Sequence, residues 1–153
     1  MSDFRYVIDI QAPAAQVWTV LLDVERWPEW TRSVTTVKRM DIGPLTLGSR
    51  TRIVQPGLAP GLWKVTSLDQ AKRIFAWTTR GLGVVVVGYH QVEAVGTASR
   101  VTFWLHYSGL LSPVLARVLN RKNWEYLKME AEGLKQRCEK DSQADAEYGS
   151  RLA

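Results

Sequence analysis

His90, His106 and Cys138 are the only imidazole and thiol groups in the 153 residues. A lone cysteine cannot form an internal disulfide, and with two histidines it makes no plausible zinc cage, so no metal is expected. Acid–base work near neutral pH would fall to His90, Tyr107 or Tyr6, with a carboxylate or hydroxyl beside it. The acidic pairs Asp23 with Glu25 and Glu130 with Glu132 stand in polar surroundings and read as surface charge. Gly81-Leu82-Gly83 is not a phosphate loop, because Val86 stands where a third glycine is needed and no Lys-Ser/Thr follows. No cofactor is expected.

Seven tryptophans among many arginines and lysines invite a base-stacking interpretation. Most, however, have structural explanations in helix stripes or strands. The cluster Lys38, Arg39, Arg50 and Arg52 suits a solvated face, so nucleic acid is not an expected partner. A net charge of +5 is by itself a statement about solubility. With 46% apolar and 23% charged residues, the chain falls among single soluble domains large enough to build a core. Its N-terminus lacks the basic stretch and apolar run of an export signal, and its longest apolar stretch, Leu82 to Tyr89, is far too short to span a bilayer. A soluble cytoplasmic protein without stable membrane insertion is the expectation.

Any reactive group must be positioned by the elements around it. Phe4, Tyr6, Ile8 and Ile10 alternate as one face of a half-buried strand. Ala12-Pro13 ends it, and Val17, Trp18, Leu21 and Leu22 form the apolar face of a short helix with Pro13 at its start. Asp23 to Trp30, interrupted by Pro28, supplies one or two further helical turns. From Ser33 the period becomes two, predicting strands over 33–42, 49–55, 62–69, 73–79, 84–95 and 99–108, joined by Gly- and Pro-rich turns. Leu115, Leu119, Asn123, Leu127, Ala131, Leu134 and Cys138 recur at spacings of three and four, predicting one long helix over 112–138. Residues 141–153 lack that periodicity and read as a flexible tail beyond a domain spanning 1–140.

This order predicts an α+β fold: a seven-stranded curved antiparallel sheet wrapped round a long C-terminal helix, with two short helices after the first strand. One helix meets only the middle of such a sheet. A hollow suited to an apolar ligand should remain beside it.

Ala12-Pro13-Ala14-Ala15-Gln16-Val17-Trp18, Asp23-Val24-Glu25-Arg26-Trp27-Pro28-Glu29-Trp30, Trp63-Lys64-Val65-Thr66 and Ser99-Arg100-Val101-Thr102 resemble the START-like (SRPBCC) superfamily of polyketide cyclase/dehydrase and lipid-transport proteins. The resemblance runs from about residue 4 to residue 138. It implies a helix-grip fold with a deep pocket for hydrophobic small molecules, hosting carriers and enzymes alike.

The strand alternation implied by this resemblance turns Val101, Phe103, Leu105 and Tyr107 inward, together with Val84, Val86, Gly88, His90 and Val92, and Phe75 with Trp77. Tyr6 and Trp30, Thr79, and Leu115, Leu119, Asn123 and Leu127 of the helix complete the expected pocket. Leu58, Leu62, Leu82 and Leu110, in loops gathered at one end, suit its mouth, although tight turns with apolar packing would use the same residues. His90 is the one inward imidazole. No carboxylate shares its expected face, so a nucleophile–His–acid arrangement is incomplete and His90 reads better as a hydrogen-bonded wall residue. Trp104 is expected outside, either as an exposed indole or as a homodimer contact through the outer sheet face.

Binding or carriage of a lipid, polyketide or isoprenoid is the first expectation for function. The alternative is a cyclase/dehydratase in which Tyr107, Tyr6 or His90 moves protons within the same pocket. A membrane-surface or protein-interaction module built on the basic sheet face is a third reading.

Overall fold

The structure, a computed structural model, describes residues 2–153. Strand β1 (Ser2–Ile10) leads into helix α1 (Ala14–Leu22) and a 3-10 turn (Val24–Glu29). Six strands follow: β2 (Thr36–Arg39), β3 (Arg50–Val54), β4 (Gly61–Asp69), β5 (Ile74–Gly81), β6 (Val84–Val95) and β7 (Ala98–Ser108). Helices α2 (Ser112–Val118) and α3 (Asn120–Leu152) close the chain. The strands form one antiparallel sheet in the order β1-β7-β6-β5-β4-β3-β2, a meander with the first strand returned to the far edge. This is the expected seven-stranded helix-grip architecture.

The alternation in β6 and β7 follows the expected parity. Val84, Gly88, His90, Val92, Val101, Phe103 and Tyr107 are buried. Thr102, expected outside, is also buried at 6% exposure. In β4 a bulge between Val65 and Ser67 shifts the register, which keeps Val65 opposite Trp77 and Leu68 opposite Phe75 on the inner face. Two indoles pin the short helices. Trp27 Nε1 donates to the Leu21 carbonyl (2.9 Å), and Trp18 Nε1 donates to Gln70 Oε1 (2.8 Å) at the β4–β5 turn.

The terminal helix departs from expectation in two ways. It breaks at Leu119, whose φ of −93° and ψ of 6° leave the helical region, between Val118 and Asn120, both weak helix formers. Helices α2 and α3 are therefore two elements in contact, in place of one continuous helix. Helix α3 also continues to Leu152, through the residues expected as a tail. Apolar periodicity reports packing rather than helicity. Beyond Ser142 every residue is exposed, yet Ala144, Ala146 and Glu147 favour helix, and the Arg137–Asp141 pair (3.0 Å) bridges the 140/141 boundary.

Cys138 is fully buried as core, and burial pushes its thiol pKa up to about 12, with Asp141 adding to the rise. Labelling of the folded chain by iodoacetamide at neutral pH should run at least about 10³-fold slower than labelling of the urea-unfolded chain, because it requires α3 to open. Labelling at the unfolded rate would show that α3 does not dock through Cys138.

Candidate functional site

Between α3 and the sheet lies a cavity of about 380 Å³. Its floor is laid out in rows by cross-strand register. The outer row is Thr79, Val86 and Tyr107; the middle row is Trp77, Gly88 and Leu105; the inner row is Phe75, His90 and Phe103. Only His90 of the inner row lines the cavity. Phe75 and Phe103 flank it at ring-centroid distances of 5.1 and 5.5 Å, with no exposed surface of their own. Row three is thus the inner wall, and two expected lining residues belong to the core behind it.

The roof is one stripe of α3 with the residue before it: Leu119, Asn123, Leu127 and Glu130, with Leu115 of α2 nearer the opening. Spacings of four, four and three keep these on one face. Ala131, Leu134 and Cys138, each fully buried, continue the helix's buried side as solid core. Trp27, Val34, Ile53 and Trp63 complete the walls. Trp77 lies in the space a side chain at Gly88 would need, since a Cβ there would sit 2.9 Å from its Nε1.

Leu58 and Leu82 border the cavity at its loop end. Leu82 and Gly83 both have positive φ (51° and 72°), so the β5–β6 hairpin turns tightly with an exposed leucine at its tip. Lys122 Nζ donates to the Gly57 carbonyl (2.8 Å) and Tyr126 donates its hydroxyl to the Pro56 carbonyl, fastening the β3–β4 loop to α3. The remaining expected residues lie elsewhere. Leu62 faces outward at 52% exposure because Trp63 takes the inward position, and Leu110 projects into solvent at 91%. Tyr6 and Trp30 pack against the core without lining the cavity.

Polar groups enter the cavity at two levels. Tyr107 donates to Asn123 Oδ1 (2.9 Å), and Asn123 Nδ2 is buried without a partner. Burial raises the Tyr107 pKa, and the bond to Asn123 offsets part of the rise. At the inner wall His90 Nε2 stands 3.9 Å from Glu130 Oε2, and His90 Nδ1 is buried without a partner. Glu130 Oε1 accepts from Ser33 Oγ (3.2 Å), which lies 3.0 Å from Thr31 Oγ1.

The carboxylate expected to be missing from the histidine's surroundings is therefore present. Glu130, expected as surface charge, has a side chain only 12% exposed. Sheet parity cannot report a group contributed by the facing helix. The available signal was its place three residues after Leu127 on the apolar stripe.

On the outer face Trp104 is 36% exposed, with its indole N–H donating to Asp3 Oδ1 (2.9 Å) and its ring edge-on to Tyr89. Asp3 also takes a bond from His106 Nδ1 (2.6 Å), which holds its carboxyl below the usual range. Trp104 and Tyr89 also border the cavity from their strands, whereas Asp3 and His106 do not. Among the described residues no group of three or more His, Cys, Asp or Glu is placed to hold a metal ion, and no helix is long and apolar enough to cross a membrane.

With this geometry in place, the family model described as polyketide cyclase / dehydrase and lipid transport matches residues 1–139. The chain belongs to that family. The match ends close to where α3 loses its buried side. No curated protein sequence matches the chain significantly. Among solved structures, a protein of Thermus thermophilus is similar at a TM-score of 0.75 and 17% identity, covering 92% of this chain and 99% of that one. Norcoclaurine synthase from Thalictrum flavum, solved with dopamine and hydroxybenzaldehyde, gives a TM-score of 0.69 at 15% identity over 88% and 84%. The di-domain aromatase/cyclase BexL of the BE-7585A biosynthetic pathway gives 0.66 at 21% identity, covering 89% of this chain and 46% of that one. At these identities the likeness concerns the fold, which this family member shares with both enzymes.

Proposed function

We propose that the protein binds and carries a hydrophobic small molecule in the cavity beneath α3. The observation that carries this reading is the space of about 380 Å³ lined by Trp27, Trp63 and Trp77 and by the leucines of α2 and α3, a volume within the range of small-molecule sites. Its walls leave only a few polar atoms to orient a ligand. The family, whose description includes lipid transport, supports the reading.

Titration with an apolar fluorophore tests it. One molecule should bind per chain and quench tryptophan emission, since Trp27, Trp63 and Trp77 face the space. Ligand at 100 times its dissociation constant should add about 2.7 kcal/mol of stability. Unchanged emission and melting temperature at saturating ligand would refute it.

A second reading, a cyclase-type enzyme, is favoured by the pair His90 and Glu130 together with Tyr107, three groups able to move protons inside one apolar space. Mutation separates the readings. In a carrier, His90→Gln and Tyr107→Phe should each weaken a neutral ligand by about 0.5–1.5 kcal/mol per lost hydrogen bond. Proton transfer would instead show as a ~10²–10⁴-fold loss of turnover with affinity largely kept. The carrier result is expected, because His90 Nε2 and Glu130 Oε2 are too far apart for a hydrogen bond and neither orients the other for transfer.

A further inference from the structure

The polar groups of the cavity differ in kind as well as in position. Among the described residues no lysine or arginine lines it, and its one carboxylate is Glu130 at the inner end. Ser33 satisfies one oxygen of that carboxylate, while the other has His90 Nε2 at 3.9 Å, beyond hydrogen-bond reach. Asn123 is the reverse case. Its carbonyl oxygen is occupied by Tyr107, leaving an amide N–H₂ buried at 3% residue exposure with nothing to donate to. An acceptor waits at the inner wall and a donor waits nearer the mouth. Both residues lie on α3 seven positions apart, so they are separated by roughly 10 Å along the helix axis. Leu127 occupies the stripe between them and lines the cavity, as do Trp77 and Leu105 of the middle row.

Resting on the binding reading above, we infer that the cavity takes a neutral, elongated apolar ligand, with a hydroxyl or phenol directed at Glu130 and a carbonyl-type acceptor near Asn123, and that it rejects carboxylates. A ligand headgroup that donates would satisfy the open oxygen of Glu130. A carboxylate entering head-first would meet a fixed negative group with no cation beside it other than His90, which already faces Glu130 through Nε2. Head-last, its carboxylate could accept from the Asn123 amide, but Glu130 would stay unsatisfied and the charge would sit among the leucines at the loop end. Unpaired buried polar groups and like charges are what make such sites selective.

Binding of 1-decanol and of decanoate, measured at about pH 8 where decanoate is ionised, compares the two headgroups on one chain length. Decanol should bind at least about 10-fold more tightly to the wild type. Glu130→Gln, which removes the charge but keeps the shape, should bring decanoate to within about threefold of decanol. Equal or tighter binding of decanoate by the wild type overturns the inference while leaving the binding reading intact. So does a decanol preference unchanged by Glu130→Gln. If Glu130→Gln fails to fold, the wild-type comparison alone decides. Failure of both probes to bind overturns this inference and the binding reading together.

Discussion

Replacing Gly133 with alanine should destabilise the protein by about 2 kcal/mol or more, against the sign of helix propensity. Alanine in a helix interior is ordinarily favoured over glycine by about 1 kcal/mol. At residue 133, however, a Cβ would lie 2.0 Å from the Trp30 carbonyl oxygen and 3.0 Å from its carbonyl carbon. Those are backbone atoms, held by the Trp30 N–H bond to the Trp27 carbonyl (3.0 Å) and by the buried Trp27 indole. Neither side can yield without moving α3 away from the 3-10 turn that walls the cavity. Gly149, where a Cβ meets nothing within 4 Å, is the control on the same helix. Gly149→Ala should leave the urea midpoint unchanged or slightly raised, while Gly133→Ala lowers it at constant m. A Gly133→Ala protein as stable as the wild type would show that α3 does not approach Trp30 this closely.

Val86→Trp should reduce the affinity for an apolar ligand by about 100-fold or more while changing stability by only ~1 kcal/mol. Val86 belongs to the outer row of the floor, between Thr79 and Tyr107, and its side chain borders empty space. An indole there would fill volume in the outer row of the floor that a ligand must cross to reach the inner wall. Because the room already exists, the larger side chain need not force its neighbours off their rotamers, unlike a substitution in the solid core around Val92. Isothermal titration and urea unfolding on the same sample separate the two effects. An unchanged affinity would place the ligand outside this cavity and refute its assignment as the binding site.

The strands are legible in the sequence because alternation marks half-buried segments, whereas the inward face of β6 and β7 is what the family resemblance implies, and only Thr102 departs from that parity. The bounds of β6, Val84–Val95, coincide with the predicted ones, since turn residues flank it at Gly83 and Gly96. The cavity floor is less legible. Phe75 and Phe103 share the inward face with Trp77 and Leu105, yet periodicity says nothing of how far along a strand the helix leaves a gap. Leu62 and Leu110 suit a pocket mouth, but Leu62 falls in β4, where one residue of register turns Trp63 inward in its place, and Leu110 sits in a turn exposed to solvent. Trp27, Trp63, Tyr126 and Glu130 escape sequence reasoning for a common reason. Each reaches the space from an element on another side of it.

By itself the sequence determined the order of elements, the antiparallel meander and the amphipathic stripe of α3, because these follow from local periodicity, turn residues and the burial of one face. Only the tertiary structure decided where the stripe stops filling the sheet's curve, that α2 breaks from α3 at Leu119, and that Glu130 comes to face His90 across 3.9 Å. The physical reason is that a pattern within one segment encodes which side is buried. What that side meets depends on the twist of the sheet and on close approaches such as Gly133 to Trp30, which join residues about a hundred positions apart in the chain.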